Sequence, residues 1–82
     1  MNETLMRSLL DLLAFLELSG QDAVHPDAAA NMLEAVGTRL DSLSAGDRVE
    51  LLACAKRMAD ETRDPERARF FRGFGRAQGW EH

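Results

Sequence analysis

Arg69, Arg72 and Arg76 recur at three- and four-residue spacing near the end of the chain, interleaved with Phe70, Phe71 and Phe74 and followed by Trp80. On a helix that spacing gathers the three guanidiniums within about 60° of one another, with Phe70, Phe74 and Ala77 opposite and Phe71 at the margin. Fixed cations and large aromatic rings do not make or break bonds. They are the residue types that dominate binding energy at protein surfaces. Four of the five aromatics fall in the last thirteen positions, so this segment is the first place to look for contact with another molecule. Trp80 follows Gly79, beyond the expected helix, and is the leading anchor there. The alternative is that the phenylalanines complete a core, Trp80 folds back over the bundle's open end, and the arginines are solvated or paired with acids elsewhere.

Bond-making chemistry has little to work with. The soft metal ligands are His25, Cys54 and His82, in a loop, mid-helix and at the terminus, and no two share the short spacing that metal sites use. Ser8, Ser19, Ser42 and Ser44 are explained by caps, turns and exposed helix faces, and none sits in a nucleophile turn. Asp60 and Glu61 are adjacent, so on a helix they diverge by about 100° and cannot act as a pair. Gly73-Phe74-Gly75 lacks the preceding strand that gives phosphate loops their geometry. No catalytic residues, metal or cofactor are expected, and the chain does not read as an enzyme.

Composition narrows the partners. The net charge is −4, which argues against general affinity for nucleic acid or an anionic membrane. It is unevenly distributed: residues 1–55 carry nine acids and three bases, and residues 56–82 carry seven bases and five acids. Asp22, Asp27, Glu34 and Asp41 are candidates for an acidic face. A single cysteine permits no internal disulfide and suits a reducing cytoplasm. The apolar run at residues 9–18 is interrupted by Asp11 and Glu17 and is far short of the ~20 residues needed to span a bilayer. At 82 residues, roughly 60–65% of the unfolded surface can be buried. Stability of about 3–6 kcal/mol follows, so a partner that covers apolar surface would matter.

The elements that must position these side chains are helical throughout. Helix one is expected over residues 3–18, closed by a left-handed Gly20, with Leu5, Met6, Leu9, Leu10, Leu12, Leu13 and Leu16 on one stripe about 160° wide. Phe15 lies about 60° outside it. Helix two, 26–42, starts on Pro26 with Asp27 in its first turn; Gly37 inside it points to close approach by a neighbour. Helix three, 45–62, opens on the Ser44/Asp47 box and turns Leu51, Leu52, Cys54, Ala55, Met58 and Ala59 inward. Helix four, 65–77, starts on Asp64-Pro65 and is weakened by glycines. No alternating runs or hairpin turns suggest strands.

The expectation is one all-α domain over residues 1–82, an antiparallel bundle of three longer helices and a short C-terminal one. The expected function is non-enzymatic, cytoplasmic protein–protein binding through Arg69, Arg72, Arg76, Trp80 and Phe15. A compact acidic helical chain of this size also resembles, in size, charge and fold class alone, immunity proteins and antitoxins. On that analogy Asp22, Asp27, Glu34 and Asp41 would mask a basic surface. Two alternatives stand beside it: a homo-oligomer paired through helix one or four, and single-stranded nucleic-acid binding by the arginine face. The second is disfavoured by net charge.

Overall fold

Each long helix starts where a side chain satisfies its free N–H groups. In the computed structural model, which describes residues 1–81, α1 spans Glu3–Leu18, α2 Pro26–Leu40, α3 Ala45–Glu61, α4 Pro65–Arg72 and α5 Phe74–Ala77. The Leu5 amide donates to Asn2 Oδ1 at 3.0 Å, the Asp47 amide to Ser44 Oγ at 3.1 Å, and the Glu66 amide to Asp64 Oδ1 at 2.9 Å. The α3 and α4 starts therefore fall where their sequence signals place them. His25 caps α2: its Nδ1 accepts the Asp27 amide at 3.2 Å, a role that its reading as a plain loop residue missed.

The helix ends differ from expectation. Gly20 is not left-handed; α1 stops because Ser19 turns extended (φ −73°, ψ 142°) while its N–H still reaches the Phe15 carbonyl. The one positive φ among the described residues is at Gly79, 82°, where the chain turns toward Trp80. The single helix expected over 65–77 is two, because Gly73 (φ −88°, ψ 2°) ends α4 and α5 starts again one residue on. α2 and α3 also stop slightly earlier than expected, at Leu40 and Glu61.

α1 and α3 run in the same direction, since Met1 meets Glu50 and Arg7 meets Glu61. α4 and α5 return along α3, with Arg72 on Asp60 and Gly75 against Leu52. The core sits between α1, α3 and this returning segment: Met6, Leu10, Leu13 and Ala14 face Leu51, Cys54, Ala55, Met58 and Ala59, closed by Phe71 and Phe74. Phe71, placed at the margin by helical phase alone, is only 2% exposed. It lies in the seam between α1 and α3, with the Arg67 guanidinium 5.1 Å from its ring centre and Arg67 held by Asp11 at 2.6 Å.

The apolar stripe of α1 is wider than its core needs. Leu5 and Leu12 are 69% and 56% exposed, and Phe15 48%, whereas Ala14 on the other flank is fully buried. α2 is a peripheral helix. Only Ala29 and Leu40 of it are buried, and Met32 stays in solvent. It lies against α1 and is tied to the C-terminal segment by side-chain hydrogen bonds. The radius of gyration, 12.4 Å, is near that of a close-packed chain of this length.

Candidate functional site

The C-terminal segment places most of its rings and most of its guanidiniums on different surfaces. Phe70, Phe71 and Phe74 form a chain of tilted and edge-on contacts, 5.6 and 6.5 Å between ring centres. Trp80 continues it, perpendicular to Phe74 at 5.9 Å. Such edge-to-face pairs hold large rings in fixed places. Arg69, Arg72 and Arg76 line an open concavity of about 720 Å³ with Pro65 and Gly73. Arg72 is spoken for by Asp60 at 2.8 Å. No aromatic ring borders that concavity among the described residues, so the stacking surface used for single-stranded nucleic acid is missing from it. Arg69 shares a smaller depression with Phe70 and Glu17, whereas Arg72 and Arg76 stand with it in the concavity that no ring borders.

Trp80 is folded back, as the second of the two sequence readings has it. Its indole N–H donates to Asp41 Oδ1 at 2.9 Å, and the Arg48 guanidinium lies 5.3 Å from its ring centre. Arg48 also donates to the carbonyls of Asp41, the C-cap of α2, and of Leu43 in the turn that follows, and a cation is favoured at a helix C-terminus. Two residues earlier, Gln78 Nε2 donates to the Gly37 carbonyl at 2.9 Å. A methyl group on Gly37 would stand 3.1 Å from the Gln78 carboxamide. The close approach expected at Gly37 is real, but it comes from this side chain and not from a packed helix.

These ties leave a groove between α2 and the α4–α5 segment, floored by α1. It has a volume of about 450 Å³, within the ~300–1,000 Å³ typical of ligand-sized sites. Leu13, Leu40 and Phe74 form its buried base, and Leu33 and Phe70 its partly buried walls. Glu17, Glu34 and Asp41 stand exposed on the rim, with Thr38 and Gln78. None of these three carboxylates forms an ion pair among the described residues. The α2 spacing from Glu34 to Asp41, seven residues, puts both on one face two turns apart. Of the four acidic candidates, the structure thus brings Glu34 and Asp41 together. Asp22 lies exposed in the loop before α2 and Asp27 exposed in its first turn, both outside the groove. Glu17, overlooked in the sequence, joins the rim; as a charge inside an apolar run it was a visible signal.

Other chemistry-bearing residues are occupied or scattered. Cys54 is fully buried, and burial pushes its thiol up, with Glu3 nearby adding to the effect. Among the described residues no three His, Cys, Asp or Glu side chains converge to hold a metal ion; His82 lies outside the described residues. No helix among them is long and apolar enough to cross a membrane. No protein-family model, curated protein or solved structure matches this chain.

Proposed function

We propose that this chain is a non-enzymatic protein-binding module, which takes a basic, apolar segment of another protein in the groove between α1, α2 and α4–α5. One observation carries the reading: a preformed apolar floor rimmed by three carboxylates that form no ion pair among the described residues, of which Asp41 accepts only the Trp80 indole N–H. Apolar side chains of the partner would supply the affinity. Its Lys or Arg residues would meet Glu17, Glu34 and Asp41, speeding encounter and setting orientation. An acidic inhibitor of the immunity or antitoxin type, working in the cytoplasm, is one concrete form of such a module. The lone, buried Cys54 is consistent with a reducing compartment.

Titration with a short amphipathic Leu/Lys peptide, followed by amide chemical shifts at about 50 mM salt, tests this. Shifts are expected at residues 33–41 and 70–78, with saturation in the micromolar range. The Glu17→Lys/Glu34→Lys variant should bind at least ~10-fold more weakly, and added salt should weaken binding further. A Leu/Glu peptide that binds equally well, or shifts confined to other surfaces, would overturn the reading.

A further inference from the structure

The outward face of α1 is apolar, uncharged and uncovered. Leu5, Ser8, Leu12 and Phe15 fall within about 80° of helix phase, and all are exposed. At its N-terminal end Met1 and Val49, 48% and 66% exposed, line one shallow depression with Met6 and Ala53, bordered by the charged Glu3, Glu50 and Arg57. Leu5, Leu12, Phe15, Met1 and Val49 present roughly 100 Å² each, about 500 Å² together, the scale at which a patch on a monomer marks an interaction site. It lies apart from the groove, whose α1 residues are Leu13 and Glu17.

We propose that this face pairs two copies of the chain, α1 antiparallel to α1 across a two-fold axis near position 10. The order of large and small side chains is self-complementary about that point. Leu5 comes opposite Phe15 of the second copy, and Leu12 opposite Ser8. A large residue meets a small one at the crossing, so the helices can approach closely. The Ser8 hydroxyl already donates to the Thr4 carbonyl at 2.8 Å and is covered without leaving an unpaired donor. Each copy carries a net charge of −4, so two copies repel at long range, and Leu5, Ser8, Leu12 and Phe15 bring no like charges into direct contact to add to it. Antiparallel helix dipoles also align favourably. Such an isologous contact closes on itself and stops at two. About 1,000 Å² in total stands at the lower limit for a specific interface, so the dimer is weak, with a Kd of the order of 10–100 µM.

Sedimentation across about 5–500 µM reads this directly. Wild type should pass from monomer to dimer within that range, more readily at high salt because screening removes the repulsion. Groove binding has the opposite salt dependence, so the two proposals fail independently. Leu12→Glu should be monomeric throughout while melting like wild type, since Leu12 is not in the core. Leu5→Cys and Phe15→Cys proteins, mixed under mild oxidation, should form the mixed disulfide in preference to either symmetric one; buried Cys54 does not compete. A wild type monomeric at about 500 µM, a Leu12→Glu protein that still dimerises, or a preference for symmetric disulfides would each overturn the proposal.

Discussion

Single residues decide how tightly the C-terminal segment closes. Gly75 is buried in α5, and a methyl group there would fall on the Glu81 carboxylate and within 2.6 Å of Leu52 Cδ2. Both neighbours are side-chain ends and can retreat, but only by loosening the Glu81–Lys56 ion pair (3.0 Å) and the packing of Leu52. Gly75→Ala should therefore destabilise by about 1–2 kcal/mol, read from urea unfolding; a variant as stable as wild type would show that the segment is not closely packed. Trp80 is the other decisive position. Half-buried, it combines a ring contact with Phe74, a hydrogen bond to Asp41 and a guanidinium stack. Trp80→Ala should cost about 2 kcal/mol and lower Tm by about 10 °C on a circular-dichroism melt. An unchanged Tm would mean that the indole contributes nothing to folding and is free to act as an anchor.

At the scale of elements, the helices differ in how firmly they are held. α1, α3 and α4 share the core, whereas α2 leans on α1 and is fastened at its far end by Gln78 and by Trp80 with Arg48. A helix with so few buried side chains opens locally at lower cost than its neighbours. The groove lies between this lightly held helix and the rigid α4–α5 segment, so the width available to a partner depends on the fastening. Hydrogen exchange should accordingly be faster at residues 30–38 than at residues 52–59 of α3. Equal protection would make α2 part of the same cooperative core.

For the whole molecule, acid stability depends on the cluster joining the start of α1 to the end of α3. Arg7 donates to Glu3 at 2.8 Å and to both Glu61 oxygens at 2.8 and 2.9 Å, and Arg57 reaches Glu3 at 2.7 Å. The Arg7 guanidinium holds both carboxyls below their ordinary range. A depressed folded pKa contributes stability that is present above the unfolded value, near 4.5, and is lost as pH falls through the folded one. Arg7→Met should thus lower the urea midpoint at about pH 7 and make it less sensitive to acid between pH 5 and 3. The effect is modest, because these groups are exposed and salt screens them. Parallel acid limbs for the two proteins would refute the linkage.

Much of the architecture was legible because it depends on local chemistry. Ser44, Asp64 and Pro65 start helices through bonds and angles that span three residues, and the 3.6-residue period orients α3 correctly whatever surrounds it. Tertiary packing decided the rest. Helical phase cannot tell which part of a wide apolar stripe meets neighbours, so Leu5 and Leu12 were left outside while Ala14 went in. Nor can spacing along one helix show that Phe71 would fill the seam between α1 and α3, or that Gly73 would break α4. The groove was not legible at all as a groove. Glu17, Glu34 and Asp41 come from two helices, and only the packing of those helices over one apolar floor brings their charges to the same rim.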